Sequence, residues 1–574
     1  MELLVDLKLC QSPAAGAIQM PNEHTTDLPF GDPDAARANL NDFIAIDGVL
    51  VDPRKNNATM GDRIIVGRKG SGKTLYLRAL QDAAEQKGLL TSPGSVTINT
   101  DTVVFFLQRI REYVNTLDRG GEMAAYIDRR RTIISIWKTI WERSINICVL
   151  SLVLNNMQRS TSIDLPPALL NLGIKSLGDV QEYVIHQFST LFQLPLTPLA
   201  PEACLTSISD HFESPRRLHA FLNEQRWHEF LFVLQNLCRI VPPIAIYIDA
   251  VDEDFEDAPE AWLTCQSGLY RAVLQSGFHH DTFSGRVHVV AALRDVVYSA
   301  ALHGEHSDRQ YQARQIKLLD WNPASVEQFL TEKLKRCVRK RSQRNKRADL
   351  DDLIHQWVGF TEVETGRRNI EPVSHYILRH GRMLPRDIIQ FGNAISKEME
   401  GRHTRGLEFE SPSLRKAVSG VSEQIGKQAI SVCINEILTA SEYFPDYIIS
   451  VQPGNFSLSD FRAYIENKIE KFFGLVKFDV VSLEKFRKSM ITAELALEVE
   501  FDEPRSHYYR FDNILWRHGL LAVRETTGTV TRWRYNWRGA VSADTLPPGF
   551  NKFGFHPSLI DAFKIRPCAE GPVA

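Results

Sequence analysis

Apolar and polar positions along the chain separate short strands from long helices. Asp62-Arg63-Ile64-Ile65-Val66 is a brief apolar run that predicts a buried strand, and Leu75 to Ala84 follows with apolar residues at helical spacing. Ser95-Val96-Thr97-Ile98-Asn99 is β-branched and predicts a second strand. Val103 to Leu117 and Met123 to Asn156 predict long helices. In the second, Ile133, Ile136, Trp137, Ile140, Trp141 and Ile145 form one stripe of the kind a core face carries. Residues 160–210 mix short helices with proline-rich connections, and Pro215 to Cys238 is helical again. Ile244 to Ile248, Val287 to Leu293 and Ile316 to Leu319 are continuous apolar runs, as in strands of a parallel sheet covered on both faces.

Beyond these runs the pattern turns helical. Residues 324–405 predict a small helical lid, and Ser411–Thr439, Ser457–Phe473 and Ser482–Glu498 predict further helices. Phe511 to Arg524 reads as a helix, a glycine (Gly519) and a strand. Gly528 turns that strand back into Val530–Trp537, and helices followed by a β-hairpin suggest a winged-helix module. The tail Gly554–Leu559 reads as a segment returning to the core. The expected fold class is α/β: residues 1–60 an N-terminal strap, 61–323 a core with a helical insertion at 100–215, 324–405 a lid, and 406–574 a C-terminal helical and winged-helix-like domain. In the strap, Ala35 to Phe43 is a helical candidate. Leu28-Pro29-Phe30-Gly31 is either a cover for a nucleotide base or a surface strap.

Candidate chemistry concentrates behind the first strand. Gly67-Arg68-Lys69-Gly70-Ser71-Gly72-Lys73-Thr74 fits G-x-x-x-x-G-K-[ST], the phosphate-binding P-loop, between a strand and a helix. Consecutive backbone N–H groups and a helix N-terminus there converge on phosphate oxygens. Lys73 would reach the β- and γ-phosphates, and the Thr74 hydroxyl would ligate Mg²⁺. Downstream, Ile244–Ile248 runs into Asp249, a Walker B pattern in which Asp249 holds the Mg²⁺ shell. Glu253, with Asp252 beside it, is placed to orient an attacking water. ATP and Mg²⁺ are therefore the expected cofactors.

The order of these motifs, with Arg294-Asp295 ending the next strand and Leu-Leu-Asp-Trp-Asn-Pro at 318–323, resembles the AAA+/STAND/KAP-like branch of P-loop NTPases. Within it the sequence is similar to stand-alone bacterial ATPases carrying G-R-K-G-[ST]-G-K-[ST]. The resemblance covers roughly residues 30–400. It implies a sensor-1 role for Arg294 beside the γ-phosphate. Arg309 and Arg314 would be either arginine fingers for a neighbouring subunit or solvated surface arginines. It also implies a sensor-2 role for Arg386, in the Pro385-Arg386 pair at a helix start, or else a capping sequence without nucleotide contact. Members of that group act as nucleotide-controlled switches or oligomeric motors, and several belong to prokaryotic antiviral systems. The implied partners are further copies of the chain or a separately encoded effector.

Composition narrows the field. With 574 residues the chain exceeds one core. Its 43% apolar and 24% charged fractions are those of a globular protein, and the net charge of −3 argues against a globally basic nucleic-acid coat. Two local features keep nucleic acid open as a partner: the basic run Lys335 to Arg347, and the wing, where Arg532 and Arg534 alternate with Trp533 and Tyr535. They support an alternative reading as a DNA-binding loader or transposition-type regulator. The eight cysteines are scattered without ligand spacing. The acidic N-terminus lacks a signal-peptide pattern, and Ile145–Leu154 is about half the roughly 20 residues a membrane helix needs. A cytoplasmic protein with no membrane partner is expected.

Overall fold

The computed structural model describes residues 28–55, 61–117, 124–159, 164–195, 197–249, 258–275, 283–304, 315–339, 349–365, 369–441, 458–495, 510–527, 530–536 and 546–568. The chain is a mixed α/β protein built on a five-stranded, all-parallel sheet. In chain order its strands are β1 (Ile64–Gly67), β2 (Leu90–Thr91), β3 (Ile244–Ile248), β4 (Val287–Arg294) and β5 (Ile316–Leu318). In space they lie β2-β3-β4-β1-β5, so β1 sits between β4 and β5. The predicted strand at Ser95–Asn99 is not one. Leu90–Thr91 takes the edge position against Ile244–Ala245, and 95–99 runs as irregular chain. Of that β-branched run only Ile98 is buried, and the sheet edge is already taken by Leu90–Thr91.

Strand alternation divides the sheet between two cores. Ile64, Val66, Ile244, Ile246, Ile248, Val287 and Val289 face the helices of 100–275. Ile65, Ala245, Tyr247, Val290 and Ala292 face the helix Lys73–Gln86, and the same core takes in the N-terminal segment and the helices beyond residue 323. Burial of both faces explains the near-continuous apolar runs. On the first side the helix Ala124–Gln158 runs against Pro259–Gln275, and Trp137, Ile140, Trp141 and Ile145 of the predicted stripe are fully buried.

The helices Pro323–Arg339, Leu350–Val358, Val373–His380 and Pro385–His403 build the outer part of this second core, with a small hairpin of β6 (Glu362–Glu364) and β7 (Ile370–Pro372). The N-terminal segment is locked into them, and of the helix expected at Ala35–Phe43 only a short 3₁₀ turn, Leu40–Asp42, forms. Phe30 is fully buried, with its ring 5.0 Å from that of Trp357. Its N–H donates to Asn393 Oδ1 (3.0 Å), and its carbonyl accepts from the buried Lys333 Nζ (2.8 Å). Leu28–Gly31 is thus a staple of this core. A methyl at Gly392 would lie 2.3 Å from the Phe30 ring. Gly392→Ala is therefore expected to destabilise the chain by about 1–3 kcal/mol through overpacking. Denaturant unfolding checks this, and a midpoint equal to wild type would refute the packing account.

The C-terminal part forms a third core around a four-stranded antiparallel sheet of β8 (Val480–Ser482), β9 (Leu521–Thr527), β10 (Val530–Tyr535) and β11 (Lys552–Phe555), ordered β10-β9-β11-β8. Helices Ser411–Ser441, Leu458–Val476, Leu483–Thr492, Phe511–Arg517 and Pro557–Phe563 surround it. The predicted tail segment is an inner strand of this sheet followed by a helix, a larger role than a docking peptide.

Candidate functional site

β1 ends at Gly67, and the chain reaches the helix Lys73–Gln86 through five residues. Gly70 (φ 93°) and Gly72 (φ 95°) adopt the left-handed conformation that glycine tolerates without a Cβ penalty. Ser71 is fully buried between them, and its carbonyl accepts from Trp321 Nε1 at 2.9 Å. Trp321, part of Leu-Leu-Asp-Trp-Asn-Pro, thus fixes the loop from behind. Lys73 Nζ is buried and donates to the carbonyls of Gly67 (2.9 Å) and Arg68 (3.2 Å), so its ammonium lies over the loop backbone. Thr74 follows half-buried, and Lys69 is exposed.

The sheet brings two further predicted residues to the same carboxyl edge. Arg294 ends β4 in register with Gly67 and is buried. Asp249 follows β3, the other neighbour of β4. Its N–H donates to Ser95 Oγ at 3.0 Å, and the same hydroxyl contacts Glu202 Oε1. Glu202 comes from the helical insertion and is buried. Burial pushes its carboxyl up to about 8 against the Ser95 hydrogen bond, and the nearby Asp249 charge adds to the rise. Neither Ser95 nor Glu202 was legible as a site residue, since a serine in a β-branched run and an acid after a proline carry no motif.

Arg386 also reaches the loop. Its backbone N–H donates to Gly70 O (3.3 Å), and its side chain packs on Gly70 while Nε donates to Pro33 O (3.3 Å). The Pro385 helix start is as predicted. In this arrangement the guanidinium engages the N-terminal segment.

Arg68 departs most from expectation. Its backbone belongs to the loop, but its side chain is buried away from it. Nη1 donates to Arg382 O (3.2 Å), and Nη2 donates to His518 O (2.7 Å), 450 positions away in the C-terminal part. Burial, with the Arg382 charge, pulls its pKa down to about 10, so it stays a cation at neutral pH. The chain at Gly381–Leu384 is shaped for this contact. Met383 has φ 56°, rare for a non-glycine residue, and the Arg382 N–H is held by the buried Asp387 carboxylate at 2.8 Å. Beyond His518, Glu436 bonds His518 Nε2 (2.6 Å) and pairs with Arg517.

A second bridge runs beside it. Ser558 N–H donates to His556 Nδ1 (3.1 Å), which leaves the proton on Nε2 to donate to Gly381 O (3.1 Å). Burial holds this imidazole neutral, with its pKa lowered to about 3. An unfolded histidine near 6.5 takes up a proton that the folded one refuses, so the contribution is complete above about 6.5 and is lost as pH falls toward 3. Between pH 6.5 and 5 the melting temperature of wild type is expected to drop more steeply than that of His556→Asn. Parallel curves would contradict the assignment.

Asp252, Glu253, Arg309 and Arg314 lie outside the described residues, as does most of the basic run 335–347. Of its described part, Lys335 pairs with Glu332 and Arg336 donates to Phe43 O, so these cations serve internal contacts. Arg534 of β10 pairs with Glu525 at 2.9 Å and lies over Trp516. Among the described residues no cluster of three or more His, Cys, Asp or Glu could hold a metal ion, and no helix is long and apolar enough to cross a membrane. A scan against family models and a search of curated proteins both returned no match.

Proposed function

We propose that the chain is an ATP-binding and ATP-hydrolysing switch, a P-loop NTPase whose lid and winged-helix-like domain respond to the nucleotide. The observation that carries this reading is the convergence at one sheet edge. The Gly67–Thr74 loop, Arg294 and Asp249 leave the adjacent strands β1, β4 and β3 on the carboxyl side, where ligands bind in open parallel sheets. The donor set fits Mg²⁺ and a triphosphate: left-handed glycines at Gly70 and Gly72, the Lys73 ammonium, the Thr74 hydroxyl and the Asp249 carboxylate. Bound Mg²⁺ supplies charge neutralisation between the phosphates.

The chain's own residues have separable tasks. Lys73 exchanges loop carbonyls for phosphate oxygens, Glu253 orients water, and Arg294 and Arg386 sense the phosphate. Arg68 ties the loop to Arg382 of the lid and His518 of the C-terminal domain, so a shift of the loop is felt by both. Further copies of the chain, or a separately encoded effector as in bacterial anti-phage systems, are the partners that read this output. The DNA-binding alternative draws no support from Arg534 or Arg336, whose charges are engaged within the chain. ATP turnover by wild type, Lys73→Ala and Glu253→Gln, measured side by side, tests the proposal. Three equal rates would overturn it.

A further inference from the structure

Behind the Arg68 contact lies a cavity of about 450 Å³ that the ATPase reading does not use. Its walls come from three pieces of chain: the β6–β7 hairpin with the helix Val373–His380, the first turns of the long helix Ser411–Ser441, and the C-terminal helix Pro557–Phe563. That volume is within the range of small-molecule sites, roughly 300–1,000 Å³.

The lining has a definite charge logic. Arg379 is neutralised, since its Nε (3.1 Å) and Nη2 (2.7 Å) both donate to Glu371 Oε1 while it stacks on the Tyr376 ring at 5.0 Å. Asp561 accepts from Ser419 Oγ at 2.9 Å, and its other oxygen faces His380 Nε2 at 4.0 Å. Burial pushes the Asp561 carboxyl upward, against the hydrogen bonds and positive charges around it that lower it. Arg415 and Lys416 remain. Both line the cavity, and among the described residues neither is in an ion pair. They sit in the first turns of a 31-residue helix, whose N-terminal end adds partial positive charge. Ile370 and Ile560 supply aliphatic surface to the same cavity, while the Tyr376 ring in its wall is taken up by Arg379 and His380. With Arg379 matched by Glu371, the lining keeps Arg415 and Lys416 against the single carboxylate of Asp561, a net positive balance that favours a small organic anion.

We propose that this cavity is a second ligand site, distinct from the P-loop, that takes a small phosphorylated molecule of mononucleotide size. Arg415 and Lys416 receive the phosphate, and the organic part lies along the aliphatic Ile370 and Ile560 surface. The location gives the site a consequence. His380, in its wall, precedes Gly381 and Arg382, whose carbonyls receive His556 Nε2 and Arg68 Nη1. Pro557, also in the lining, follows His556. A ligand in this cavity therefore bears directly on both bridges that connect the lid, the C-terminal domain and the loop. The binding step stands independently of the ATPase reading, and only this consequence rests on it.

Calorimetric titration of the full chain with AMP, and separately with inorganic phosphate, tests the site. We expect one AMP site per chain that persists in Lys73→Ala. It should weaken about ten-fold or more in the Arg415→Ser/Lys416→Ser double variant, as loss of charge-assisted phosphate contacts requires. The exposed single reversal Lys416→Glu provides the same readout should the double variant melt early. Absence of AMP binding to wild type overturns the proposal. So does a site lost in Lys73→Ala but kept in Arg415→Ser/Lys416→Ser. Phosphate binding without AMP binding overturns the nucleotide-sized ligand. Turnover in Lys73→Ala equal to wild type would refute the ATPase reading while leaving the AMP result standing.

Discussion

Lys73→Ala is expected to lower ATP turnover about 100- to 1,000-fold, the usual effect of removing one preorganised donor from developing charge. The side chain is buried and its ammonium already lies over the loop, 2.9 Å from Gly67 O and 3.2 Å from Arg68 O. Its approach to phosphate needs little reorganisation, which is why so much depends on it. Loss of those two hydrogen bonds costs about 1–2 kcal/mol of stability, so the variant should remain folded. Lys73→Arg keeps the charge but changes its shape, and it should recover binding more than turnover. Steady-state turnover alongside a melting curve separates the effects. Wild-type turnover in a folded Lys73→Ala would contradict the catalytic assignment.

Glu436→Ala should produce the largest loss of stability of any single change at the domain contact, about 3–5 kcal/mol, the typical result of breaking a buried ion pair. Glu436 pairs with Arg517, which is 1% exposed, and with His518, so its removal takes the paired carboxylate away from a buried guanidinium in the third core. Burial alone would raise the Glu436 pKa, but Arg517 and His518 hold it down at about 2. The pair therefore contributes fully above the ordinary glutamate pKa of about 4.5, and its contribution disappears as pH falls toward 2. Glu436→Gln should lose less than Glu436→Ala and should flatten the acid limb of the stability curve. Chemical denaturation at pH 7 and pH 4 gives both readings, and equal stabilities of wild type and Glu436→Ala would refute the buried-pair account.

Much of the sheet was legible because its strands are apolar on both faces. Ile244–Ile248 and Val287–Leu293 could hardly be anything else, and the glycine spacing of Gly67–Thr74 marked its own turn. What local pattern could not reveal were contacts between distant segments. Ser95 looked like strand because its neighbours are β-branched, yet its hydroxyl is held by Asp249 and Glu202. Phe30 looked like surface because proline and aspartate surround it, yet it fills a hole left by Gly392. Arg68 looked like a phosphate ligand because of its place in the loop. No local signal shows that its partners are the carbonyls of Arg382 and His518.

The central claim is that the loop's nucleotide state reaches the C-terminal domain through Arg68. Amide hydrogen exchange of residues 511–527, measured with and without Mg²⁺ and a slowly hydrolysed ATP analogue, tests it most directly. In wild type the analogue should change exchange around His518, and Arg68→Ala should abolish that change while still binding the analogue. An equal change in both proteins, or none in wild type at saturation, would contradict the account.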